Sequence, residues 1–171
     1  MRRTSVFALA VTFVWLVGGS TVWAQKYDDK EHAELAKALK GVKTSLEKGL
    51  SASESQGKPI SGKFEVEDGK LQLSVYTMKG DKFSEVIVDH KTGKTAKTEA
   101  ITGGEDLSAA KAQSGAMAKA KVSLRNATEK AVKANKGFRA VSVTPSLKDG
   151  HPVAEITLVK GEFKTASEKL D

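Results

Sequence analysis

The chain has 171 residues, 28 Lys and Arg against 21 Asp and Glu for a net charge of +7, and no cysteine. Disulfides and thiolate chemistry are excluded, and the length suits one ordinary domain or two small ones. The basic residues are nearly all lysine, spread along the whole chain with few aromatics among them. That pattern reads as a solvated surface and not as a nucleic-acid interface.

Residues 1–24 have the layout of a cleavable export signal. Arg2 and Arg3 precede an apolar run from Val6 to Val17, Gly18 to Thr21 break it, and Val22-Trp23-Ala24 ends on a small residue. The run is about a dozen residues, whereas a membrane-spanning helix takes roughly 20. Thr4-Ser5 follow the arginine pair where a twin-arginine signal would want large apolar residues, and no cysteine marks a lipid-anchoring site. Cleavage after Ala24 is expected, leaving a free periplasmic or secreted protein with no membrane span.

Beyond the signal, the chain corresponds to itself at a displacement of 81 residues. Asp68-Gly69 matches Asp149-Gly150, and Lys79-Gly80 matches Lys160-Gly161. Apolar positions between them stay in phase: Leu73 with Ala154, Val75 with Ile156, Met78 with Val159. Upstream, Leu46 falls on Ala127 and Leu50 on Ala131. One Asp-Gly match means little; two turn pairs at one displacement define a repeat.

In the first unit, Leu35, Leu39, Val42, Leu46 and Leu50 recur at spacings of four and three, one face of a helix that Gly49 and the stretch from Ser51 to Gly57 end. Phe64 and Val66 alternate with Lys63, Glu65 and Glu67, and Leu71, Leu73 and Val75 with Gln72, Ser74 and Tyr76. These are half-buried strands joined by a tight Asp-Gly turn. Phe83 to Val88 makes a third strand after Lys79-Gly80. The expected fold class is α+β, with two tandem units, each a helix followed by an antiparallel β-meander packed on it.

The second unit places Met117, Ala120, Leu124, Ala127, Ala131 and Ala134 on a helical face, closed by Gly137. Ser123 could instead cap a fresh helix at Leu124, making 108–121 a separate segment. Strands follow at Val141–Val143 and Val153–Val159, then a weak one from Glu162 to Lys169. Pro145 and Pro152 fall in the fourth and fifth strand patterns, and a residue without an N–H belongs on an edge or at a strand end. The expected division is 1–24 signal, 25–100 first unit, 101–108 linker around Gly103-Gly104, and 109–171 second unit.

Laid out this way, both units resemble the PepSY domain of peptidase propeptides and exported bacterial proteins. The resemblance rests on Ser123-Leu124-Arg125-Asn126-Ala127 entering a helix, Gly137, the strand from Ala140 to Val143, and the Asp149-Gly150 hairpin. In the first unit it rests on Val86 to Lys94, which contains Asp89-x-x-Thr92-Gly93. The Ser/Gly-rich stretch before Phe64 and the polar last strand depart from the family pattern. The resemblance implies an α+β fold and a non-catalytic, inhibitory or regulatory binding role.

Candidate chemistry is sparse, so no catalytic, metal or cofactor-binding residue is assigned and no cofactor is expected. Asp89-His90 beside Thr92-Gly93 could orient an imidazole, but adjacent strand residues face opposite ways and Asp89 suits a turn-capping role. His32, His90 and His151 lack metal-ligand spacing. Ser45 and Ser61 lack a nucleophile-elbow motif, and Gly103-Gly104-Glu105-Asp106 lacks the phosphate-loop lysine. Asp28, Asp29 and Glu31 fit the start of a helix, where negative charge complements the dipole. The expected function is a non-enzymatic exported binding module that inhibits or regulates a peptidase or another envelope protein; an exposed sheet edge can accept an extended peptide by strand addition, against the reading that Lys, Pro and short strands protect each edge. The alternative is an envelope protein whose basic surface meets anionic cell-wall polymer or lipid headgroups.

Overall fold

The computed structural model describes residues 29–171. The expected signal segment, and Asp28 with it, lie outside the described residues. The fold is α+β: four α-helices with one seven-stranded, wholly antiparallel sheet. In chain order the elements are α1 (Asp29–Ala38), a 3-10 turn (Leu39–Gly41), α2 (Leu46–Ser53), β1 (Lys58–Glu67), β2 (Lys70–Lys79), β3 (Lys82–Val88) and β4 (Thr95–Ile101). Then come α3 (Gly104–Lys119), α4 (Leu124–Ala134), β5 (Arg139–Lys148), β6 (His151–Val159) and β7 (Phe163–Lys169). The strand order is β4-β3-β2-β1-β5-β6-β7.

The single first helix expected from Leu35 to Leu50 is two helices. Val42 is extended, with φ −83° and ψ 127°. The Lys43 and Thr44 N–H groups both donate to the His90 carbonyl, at 3.2 and 3.0 Å. Ser45 then caps α2, its hydroxyl accepting from the Lys48 N–H at 3.2 Å. Gly49 does not end this helix but lies inside it, because only a glycine admits the Leu73 side chain there. A β-carbon at Gly49 would fall 2.6 Å from Leu73 Cδ2. The fresh helix at Leu124 is present, with Ser123 accepting from the Asn126 N–H at 3.2 Å.

The hairpins follow from their turn residues. Asp68 and Gly69 take φ of 48° and 72°, and Asp149 and Gly150 take 53° and 81°. Two consecutive positive φ values match the right-handed twist of the flanking strands. β4 has no counterpart among the expected strands, and residues 102–103 connect it to α3. Every residue of β4 from Thr95 to Ala100 is exposed, so its sequence carries no alternation to reveal it. Pro145 lies inside β5 and not at its end. It still obeys the physical rule, because β5 pairs with β1 only at Val143 and Ser142, leaving Pro145 without a ladder partner on that side.

The core forms where α2 and α4 cover one sheet face. Gly62, Phe64, Leu73, Val75, Val86, Val88, Val143 and Ile156 share that face through direct cross-strand pairing and are buried there, with Leu46 and Leu50 of α2 over Gly62. Ala127 and Ala131 of α4 are buried in the same cluster. The remaining helices are tied to the sheet by side chains: Ser61 Oγ donates to Gln113 of α3 at 2.8 Å, and Lys58 Nζ to the Met117 carbonyl at 3.0 Å. Among the described residues no helix is long and apolar enough to cross a membrane.

Candidate functional site

Asp89 is a turn residue. Its Oδ1 accepts from the Lys91 N–H at 2.9 Å, the Thr92 N–H at 2.7 Å and the Thr92 hydroxyl at 3.0 Å. These donors, the Thr92 N–H first, hold the carboxyl below the usual aspartate range. A carboxylate so occupied does not orient the neighbouring imidazole. His90 instead gives its carbonyl to the 43–44 segment, and its Nδ1 is buried without a hydrogen-bond partner, as is Thr44 Oγ1.

The other histidines sit on different elements. His32 of α1 stacks on Phe163 of β7, centroids 3.9 Å apart and planes 8° from parallel. His151 opens β6, and its Nδ1 lies 2.7 Å from Asp171 Oδ2, a hydrogen bond that lowers the Asp171 carboxyl. Among the described residues no three His, Asp or Glu side chains gather in a way that could hold a metal ion. Ser45 caps α2 and Ser61 donates to Gln113, so each expected serine has a structural partner. Gly103 precedes α3, whose first turn carries Glu105 and Asp106.

The sheet face away from α2 and α4 mixes polar side chains with Met78, Phe83 and Ile87, and α3 meets it where Ser114 donates to Met78 and Gln113 accepts from Ser61. Direct pairing aligns Lys97, Ile87, Ser74, Lys63, Ser142, Thr157 and Thr165 in one row across all seven strands. A carboxylate cluster lies along the β1–β3 part of this face. Ser74 donates to Glu65 at 2.9 Å, Gln72 donates to Ser74 at 3.0 Å, and Lys63 pairs with Glu65 at 2.6 Å. Burial raises the Glu85 carboxyl above the usual glutamate range; the nearby Ser74 hydroxyl offsets this and Glu65 reinforces it. Burial, then Glu85, raises the Tyr76 phenol as well. Sequence alternation placed these side chains on one face, but their mutual contacts depend on the strand register.

Two further features come from the topology. Among the described residues β4 and β7 are the edges of the sheet, and each has one side of its backbone ladder without a strand partner. β7 is firmly held. Lys130 of α4 pairs with Glu168 at 2.6 Å, Lys164 donates to Asn135 at 2.6 Å, and Leu170 exchanges backbone bonds with Pro152, Lys121 and Val122. Beside α1, an open groove of about 660 Å³ is lined by Lys37, Lys40, Arg139 and Lys160 over Ala36, Leu39 and Val159. Among the described residues no carboxylate lines it.

No family model, curated protein or solved structure matches this chain.

Proposed function

We propose that the protein is an exported, non-enzymatic binding module built from two PepSY-like units, which restrains or regulates a peptidase or another envelope protein by accepting an extended segment along β7. The single observation that carries this reading is the open backbone edge of β7, fixed in place by α4 and the 121–122 segment. A preorganised edge lowers the ordering cost of adding a strand, and main-chain bonds supply sequence-tolerant affinity.

The two-unit reading is supported by correspondences at the 81-residue displacement. The bounds of β5 are those of β1 displaced by it, and the bounds of β7 those of β3. Both β1 and β5 slip register at the matching place, between Pro59 and Ser61 and between Ala140 and Ser142. Lys58 and Arg139 also correspond. Lys58 donates to the end of α3, and Arg139 donates to the Leu39 carbonyl just after α1, so each half reaches to the other's helix.

A second reading has its own observation, the basic groove at Lys37, Lys40, Arg139 and Lys160, which suits an anionic polymer or lipid headgroup. One experiment separates the two. Purified protein is immobilised, exposed to cell-envelope extract, and compared with Thr165→Pro and Ala166→Pro variants, one of which removes an N–H that points away from β6. Edge binding predicts capture and peptidase inhibition that survive moderate salt and are lost in one proline variant. Capture that is indifferent to both prolines and fades as salt screens charge overturns edge binding and favours the groove.

A further inference from the structure

The opposite edge, β4, has features that β7 lacks. Its sequence from Ala96 to Ala100 is Ala-Lys-Thr-Glu-Ala, a charge pattern that is its own complement when read backwards. Lys97 and Glu99 project from the same sheet face, paired with each other at 2.8 Å and both exposed. Thr98 lies midway between them. β4 carries two of the usual protections of an edge strand, Lys97 and a bulge at Ala96, but it has no proline and no net charge, and no residue except Ile101 is even partly covered.

β4 also carries an unfavourable pairing. Glu99 sits directly opposite Glu85 of β3, which itself faces Tyr76 of β2. Like charges directly opposite in an antiparallel pair are destabilising. Lys97 lies opposite Ile87, so no cation from β3 answers Glu99 across the strand pair.

We propose that β4 is a homodimer interface: two copies of this chain pair their β4 strands antiparallel about a two-fold axis at Thr98, giving a continuous fourteen-stranded sheet. In that register Lys97 of each copy faces Glu99 of the other and Thr98 faces its own counterpart, all within the regular stretch beyond the Ala96 bulge. Each acidic pair Glu85–Glu99 then meets a lysine on its far side, extending the row to Tyr76, Glu85, Glu99 and the second copy's Lys97. The interface is isologous, so it closes at two copies and does not propagate. It leaves both β7 edges pointing outward, and it holds whether or not β7 accepts a ligand. One seven-residue strand is a small interface against the roughly 1,200 Å² of a standard one, so the dimer is a reversible one that forms at micromolar concentrations.

A charge exchange tests this by sedimentation of the purified protein across a concentration series. The wild type should pass from monomer to dimer. Lys97→Glu places two acids against two acids, and Glu99→Lys two bases against two bases, so each single variant should dimerise about tenfold more weakly. An equimolar mixture of the two variants restores opposite charges at both pairs, and so does the double exchange Lys97→Glu with Glu99→Lys; each should recover wild-type association. Thr98→Pro and Ile101→Pro, at uncharged positions whose N–H groups face opposite ways, provide a charge-independent check, since one of them removes an outward N–H. A wild type that stays monomeric at hundreds of micromolar overturns the proposal. So does a dimer that the single charge variants leave unchanged, or single variants whose mixture fails to re-associate.

Discussion

Gly62 of β1 lies directly across the β1–β5 junction from Val143, the residue 81 positions further along the chain. The proposed two-unit reading calls for such an antiparallel pairing between corresponding positions. The two partners differ because α2 crowds one of them. A β-carbon at Gly62 would lie 3.2 Å from Leu50 Cδ2 and 3.4 Å from Leu46 Cδ1. Gly62→Val, which would make the pair symmetric, therefore overpacks the junction and should cost about 1–3 kcal/mol of stability in urea unfolding.

The same logic applies inside α2. Gly49→Ala should gain about 1 kcal/mol from helix propensity in an isolated helix. Here the added methyl meets Leu73, and the expected result is a net loss of about 1–2 kcal/mol. In a Leu73→Ala background, itself destabilised, the Gly49→Ala change should turn neutral or stabilising. A double-mutant cycle by denaturant unfolding measures that coupling.

Arg139 joins the two halves through its guanidinium, which donates to the Leu39 carbonyl at 3.3 Å and the Thr44 carbonyl at 3.2 Å and lies 5.7 Å from the Phe64 ring centroid. Burial lowers its affinity for the proton, and Glu47 partly counters that. Arg139→Met keeps the stem but removes both donors; the Leu39 carbonyl retains the Val42 N–H while the Thr44 carbonyl loses its side-chain donor, and the change should cost about 1–3 kcal/mol. Because Thr44 also bonds the β3–β4 turn, the variant should speed amide exchange at Lys43 and Thr44.

Glu85 gives stability a pH dependence of known sign. Its carboxyl is raised in the folded state, so between the ordinary glutamate value and the raised one the folded protein binds more protons than the unfolded chain. Stability from this group is then present at low pH and declines as pH climbs through that window. Glu85→Gln should flatten this decline in unfolding curves taken from pH 4 upward. Asp89 acts in the opposite direction: its lowered carboxyl contributes above the unfolded value and loses its contribution on acidification.

Much of the fold was legible where local chemistry dictates conformation. Asp-Gly at both hairpins demands positive φ at both positions, and the alternation around Phe64, Leu73 and Val75 marks a one-sided sheet. Two elements escaped for physical reasons. Leu39, Val42 and Leu46 keep a helical spacing across 42–45, and only the long-range bonds to the His90 carbonyl reveal the break. β4 is exposed on both faces, so burial left no imprint on Thr95 to Ala100. The candidate sites were legible only as residue types. Which strands become edges depends on β1 meeting β5, a pairing between distant residues that no local pattern encodes.

The central claim, that β7 receives an extended partner segment, is tested most directly by amide exchange on the protein alone and with its captured partner. In the free protein, alternate amides of Phe163–Lys169 have no ladder partner among the described residues and should exchange fast. Binding along β7 should slow those alternate amides by at least about a hundredfold, as a new ladder forms. Protection that falls on the groove residues Lys37, Lys40 and Lys160, with the β7 amides unchanged, would contradict it.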